Sequence, residues 1–151
     1  MKSIMFVCTG NICRSAMAHG YMQKKVYELN RQDEYLISSC GTNAINSQKS
    51  TLNAIDVMKK YNVDLTNHRA TNIYNSNILQ YDLIITMTVI QKENILKLYP
   101  KLIGKVFTLK EYTKTNDKYL DIDDPWGFDI QIYKNIATSI VDNVDKLLEI
   151  F

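Results

Sequence analysis

The chain has 151 residues, 46% of them hydrophobic and 23% charged, with a net charge of +2. That length suits one domain, spanning 1–151, able to bury roughly two-thirds of its unfolded surface around a core, and the composition excludes a disordered chain. The lysines are scattered, so no basic block marks a nucleic-acid or membrane partner. The N-terminus, Met1 to Cys8, has an apolar run too short for a signal-peptide core or a membrane span, which predicts a cytoplasmic protein. Three cysteines are too few for a disulfide framework and favour catalytic or redox thiols in a reducing compartment.

Short apolar runs alternate with amphipathic stretches. Ile4 to Val7 has no polar alternation and reads as a strand buried on both faces. It ends at Thr9-Gly10-Asn11, after which Ser15 to Asn30 carries Ala16, Met17, Gly20, Tyr21 and Lys24 at helical spacing. Tyr35 to Ser39 is a second strand, stopping at Gly41. Ser50 to Tyr61 is a helix with Leu52, Ile55, Val57 and Met58 mostly on one face. Leu83 to Met87 is a third strand. It is followed by a helix from Ile90 to Leu98, with Ile90, Ile95 and Leu98 recurring until Pro100. Lys105 to Leu109 is a fourth strand, and a final helix begins near Asp129 with Ile132, Ile136, Ile140, Val144 and Leu147 in step. The pattern predicts an α/β fold, an open parallel sheet of four strands with helices on both faces and right-handed crossovers. Asp117 to Pro125 is the one long irregular segment.

Ligands of such sheets bind outside the carboxyl ends of the strands, where Cys8 stands. From Cys8 to Arg14 the spacing is C-x5-R, in a loop between the first strand and the first helix, where free N–H groups and the helix dipole favour an anion. Gly10 and Asn11 can take positive φ, letting the amides of Thr9, Gly10, Asn11, Ile12, Cys13 and Ser15 curl into a phosphate cradle. Arg14 adds a planar two-pronged donor matched to phosphate oxygens. The same field stabilises a thiolate at Cys8, and the Ser15 hydroxyl is positioned to donate to that sulfur. Departure of an ester oxygen requires a proton. Asp124, stiffened by Pro125, is the candidate donor, with Asp123, Asp121 and Asp117 as competitors.

Other residues leave two readings open. Cys13 is a core residue or a redox partner for Cys8; Cys40 reads as a small core residue. His68 is a turn or capping residue before any catalytic role. Trp126 is a packing aromatic or a wall against the substrate.

The loop from Cys8 to Ser15, the Asp124-Pro125 pair and the order of elements resemble the low-molecular-weight protein tyrosine phosphatases over essentially the whole chain. The resemblance implies a cytoplasmic, monomeric enzyme that hydrolyses phosphotyrosine in proteins or peptides through a phosphocysteine. It implies release of inorganic phosphate, with no metal, organic cofactor, nucleic acid or membrane involved. It makes Cys8 the nucleophile, Arg14 the phosphate clamp, Asp124 the general acid, Ser15 the thiolate partner and Asn11 a left-handed brace. It also has His68 supporting that asparagine, and Cys13 able to form a protective disulfide with Cys8. The chain departs from the family at Ala16, usually proline, at His19, often glutamate, and at Trp126-Gly127, where tyrosine-specific members carry two tyrosines. Lys105 to Tyr112 and Asp124 to Gly127, with Ile132-Tyr133-Lys134, look more like the bacterial protein-arginine phosphatase branch. That branch has threonine where this loop has Ile12, and an apolar side chain there suits an aromatic ring. An arsenate reductase would need a downstream cysteine pair, which the chain lacks. A non-catalytic phosphate-binding module or phosphocysteine carrier would not require Arg14 and Asp124 together.

Overall fold

A computed structural model describes residues 1–151. Four strands, β1 (Lys2–Cys8), β2 (Tyr35–Gly41), β3 (Leu83–Thr86) and β4 (Val106–Thr108), form a parallel sheet in the order β2-β1-β3-β4. Five helices cover it: α1 (Arg14–Glu28), α2 (Leu52–Lys59), α3 (Val89–Leu98), α4 (Leu109–Tyr112) and α5 (Ile130–Ile150). The expected open α/β sheet is therefore the observed one.

Because successive strand side chains point to opposite faces, β1 divides its residues between two cores. Ile4, Phe6 and Cys8 join α1, α2 and α5 in a cluster of 27 buried residues, whereas Met5 and Val7 join Ile95, Cys40 and Val106 in one of 10. The larger face is thus where the Cys8 side chain emerges. The chain leaves β1 toward β2 on one side and later returns to β3 on the other. This reversal of strand order opens a crevice at the carboxyl end of β1, where α/β folds bind ligands. Register places Cys8 beside Gly41 and Val7 beside Thr86, so the ends of β2 and β3 flank the loop that follows β1.

Some single positions on the predicted apolar faces lie at the surface. Leu52 is 83% exposed, whereas Val57 and Met58 of the same predicted face are buried together with Ala54. On α3 both Ile90 and Leu98 are exposed and only Ile95 and Gln91 are buried. Ile132 lies at the edge of the α5 stripe, whose buried members include Tyr133, Ala137, Ile140, Val144 and Leu147. Helices over a four-stranded sheet cover only part of its width, so an outer apolar residue finds no second layer. The fourth predicted strand ends early: Thr108 and Glu111 form a reciprocal capping box that starts α4. The T-x-x-E spacing carries that signal in the sequence.

Candidate active site

Residues 9–13 turn from β1 into α1 around the Cys8 sulfur. Asn11 is the loop residue that takes positive φ, at 56°, whereas Gly10 does not, so the left-handed conformation falls to asparagine alone. Asn11 is wholly buried and uses every polar atom. Its N–H points to Cys8 Sγ at 3.3 Å, its Nδ2 donates to Ser15 Oγ at 2.7 Å, and its Oδ1 accepts from the Thr71 N–H at 2.9 Å. Its carbonyl accepts from His68 Nε2 at 2.7 Å, which sets the proton of that ring on Nε2. Since Ser15 Oγ accepts from Asn11, its own hydrogen is free to donate to Cys8 Sγ, 2.9 Å away. Asn11 and Ser15 therefore lie beneath the loop, holding the sulfur from behind.

In front, the backbone N–H groups of Gly10, Ile12, Cys13, Arg14 and Ser15 have no acceptor in the protein. α1 begins with neither a side-chain cap nor an acidic residue in its first turn, leaving the positive end of its dipole open toward the sulfur. Arg14 is 4% exposed; its Nη1 donates to the Ile122 carbonyl at 2.9 Å, while its Nε is buried without a partner. An unpaired buried guanidinium N–H costs stability unless a ligand accepts from it. A pocket of about 420 Å³ opens here, lined by Cys8, Thr9, Gly10, Ile12, Cys13, Arg14, Asp124 and Trp126 among others.

Of the four candidate carboxylates, only Asp124 faces this pocket together with the sulfur. Its Oδ2 lies 3.6 Å from Arg14 Nη2 and its Oδ1 accepts from the Trp126 N–H at 3.1 Å. Asp117 pairs with Lys110, Asp123 takes the Tyr119 hydroxyl, and Asp121 accepts the Val89 N–H. Trp126 is 63% exposed at the rim, so it is not a core aromatic.

Cys13 is buried in the larger core, and its sulfur lies 3.4 Å from both the Thr51 and Tyr133 hydroxyls. Burial pushes its thiol above the ordinary range, and likewise pushes Cys40 up to about 12. All three cysteines are free. His19 and His68 stack edge to face at 6.4 Å, and His19 Nδ1 lies 2.9 Å from Ser39 Oγ. Burial lowers His19 to about 4, aided by His68; burial also lowers His68, against the pull of the Asn11 carbonyl, and Arg69 lowers it further.

Two contributors escape the sequence reading. Gln91 is 4% exposed; its Oε1 accepts from Met87 and Thr88, and its Nε2 donates to Thr9 Oγ1 at 3.2 Å, tying α3 to the loop. Gly41 is the other: a Cβ there would stand 2.4 Å from the Thr9 carbonyl oxygen and 3.0 Å from the Asn11 nitrogen. Thr88-x-x-Gln91 is a readable capping box, but nothing local marks Gly41.

Residues 3–150 match the family model described as low molecular weight phosphotyrosine protein phosphatase. Among curated relatives, a probable low molecular weight protein-tyrosine-phosphatase, EpsP, of Ralstonia solanacearum is 30% identical, the match covering 96% of this chain and 92% of the relative. A protein-arginine-phosphatase of Geobacillus stearothermophilus is also 30% identical, over 97% of this chain and 93% of the relative. The crystal structure of a low molecular weight protein tyrosine phosphatase from T. tengcongensis superposes with a TM-score of 0.91 at 31% identity, covering 100% of both chains.

Proposed function

Because the chain belongs to the low molecular weight phosphotyrosine protein phosphatase family, and so is a cysteine-dependent hydrolase, we propose that it hydrolyses phosphotyrosine in proteins through a phosphocysteine, with residues 1–151 acting as one catalytic domain. One observation carries this reading. The Cys8 sulfur, a ring of unpartnered amides, the unpaired Arg14 Nε and the Asp124 carboxylate all meet at a single pocket.

In the first step the Cys8 thiolate attacks phosphorus as the bond from phosphorus to the tyrosine oxygen breaks, and Asp124 delivers its proton to that departing oxygen. The loop amides and Arg14 hold the equatorial oxygens, where charge must be stabilised without reorganisation. In the second step Asp124, now a carboxylate, takes a proton from water as its oxygen attacks phosphorus. The S–P bond breaks, phosphate leaves, and the Ser15 hydroxyl donates to the thiolate that reforms. Asn11 and His68 keep the loop in the shape that both steps use. The protein acts in the cytoplasm as a monomer in this reading; no helix is long and apolar enough to cross a membrane.

Tyrosine is favoured by the walls: Ile12 and the exposed Trp126 offer apolar faces to a ring, and Ile12 has no hydroxyl to bond a guanidinium. Phosphoarginine is the second reading, because relatives named protein-arginine-phosphatase are as similar as those named for tyrosine. Initial rates on matched phosphotyrosine and phosphoarginine peptides decide between them. Wild type is expected to prefer phosphotyrosine, with Ile12→Thr narrowing the ratio and Cys8→Ser abolishing turnover. A wild-type preference for phosphoarginine defeats the tyrosine assignment, and residual turnover in Cys8→Ser defeats the mechanism.

A further inference from the structure

The segment that carries Asp124 contains no helix or strand between Thr113 and Asp129, yet its carboxylate stands beside Arg14. Few contacts hold it there. Ile122 is buried, its N–H donates to the Met87 carbonyl at 2.8 Å, and its own carbonyl accepts from Arg14. One residue earlier the Asp121 carboxylate accepts the Val89 N–H at 2.8 Å. Val89 opens α3, so that N–H is among those no helical carbonyl can satisfy, and the helix dipole favours a carboxylate at that end. Thr88 and Gln91 cap each other, which leaves Val89 to Asp121. The pairs Asp117–Lys110 and Tyr119–Asp123 lie within the segment or reach α4, and neither fastens it to the sheet.

We infer that Asp121 is a positioning residue for proton transfer: by closing the first turn of α3 it sets Asp124, three residues on, over the Cys8 sulfur. The inference rests on the reading of Asp124 as the general acid. Arg14 is held by the Ile122 carbonyl, and Ile122 is fixed by its own burial and by its N–H bond to Met87, so losing the Asp121 contact disturbs the proton donor more than the phosphate clamp. Such a role has a signature that general loosening of the fold lacks. Proton donation matters when the leaving oxygen is basic and hardly at all when it departs readily as an anion.

The test compares kcat/KM, which reports phosphoryl transfer to sulfur, for phenyl phosphate and 2,4-dinitrophenyl phosphate. Phenol is as weak an acid as tyrosine, with a pKa of about 10, whereas dinitrophenolate needs no proton. Asp121→Ala is expected to lower kcat/KM on phenyl phosphate by about ten- to hundredfold and to leave the dinitrophenyl ester nearly unchanged. Asp121→Asn keeps an acceptor for Val89 and should recover most of the loss. In an Asp124→Asn background, Asp121→Ala should add no further leaving-group dependence. Equal losses on both esters, or none on either, overturn the positioning role. Asp124→Asn alone separates the two possible failures. If it is selective for phenyl phosphate and Asp121→Ala is not, only the positioning role falls; if it is not selective, the general-acid reading falls and the role with it.

Discussion

Gly41→Ala is the substitution whose effect can be worked furthest from the geometry. The new methyl would sit 2.4 Å from the Thr9 carbonyl oxygen, 2.8 Å from Ala44 Cβ and 3.0 Å from the Asn11 nitrogen. Carbon and carbonyl oxygen ordinarily stand roughly 3.3–3.6 Å apart, so the loop must retreat by about 1 Å. Two of the three clashing atoms are backbone, and both are committed: the Thr9 carbonyl accepts from the Asn43 N–H at 2.9 Å and the Asn11 N–H points to the Cys8 sulfur. No side-chain rotation relieves this. Overpacking of this kind costs about 1–3 kcal/mol of stability, whereas a displacement of about 1 Å in a positioned site can cost about 10²-fold in rate. The expected outcome is a folded protein with a slightly lowered melting temperature and a kcat/KM on aryl phosphates reduced by about two orders of magnitude. Gly10→Ala serves as the contrast: its methyl meets only Ile12, at 3.5 Å, and the position needs no positive φ, so its melting temperature should match wild type. Activity unchanged in Gly41→Ala would refute the claim that a bare backbone at the end of β2 shapes the phosphate loop.

Asn11→Ala removes a donor to Ser15 and an acceptor for Thr71 and forces a methyl-bearing residue to φ 56°, which together predict a loss of about 2–4 kcal/mol. A denaturant midpoint equal to wild type would show that the loop does not depend on this brace. His19 is lowered to about 4, chiefly by burial, so the folded state holds it neutral while the unfolded chain takes up a proton near 6.5. Unfolding thus binds more protons in that window, and stability should fall as pH drops from about 6.5 toward 4, by a few kcal/mol at most. His19→Asn should flatten the curve, and identical pH dependence in both proteins would remove His19 as its source.

The alternation of strands and helices, and hence the sheet class, could be read from the chain because each element's periodicity is a local property: Ile4 to Val7 has no polar residue, and α5 repeats its apolar side chains at three and four. The C-x5-R loop could be read for the same reason, since Cys8, Asn11, Arg14 and Ser15 lie within one strand-to-helix turn and their spacing already dictates an anion nest. Outer positions such as Leu52, Ile90 and Leu98 were harder, because an apolar residue declares that it can be buried and not whether another layer exists to bury it. The choice of Asp124 over Asp117, Asp121 and Asp123 had only the neighbouring Pro125 behind it in the sequence. Geometry divides the four, sending three to Lys110, the Val89 N–H and the Tyr119 hydroxyl.

Local order in the chain thus determined the strands, the helices and the chemistry of the loop. Tertiary structure alone brought Gly41 and Gln91 against the loop that follows Cys8, and Asp121 against the first turn of α3. Their contacts bridge 32, 82 and 32 residues of chain between Gly41 and Thr9, Gln91 and Thr9, and Asp121 and Val89. A contact of that span arises when parallel strands bring their carboxyl ends to one rim, and no periodicity within either segment encodes it.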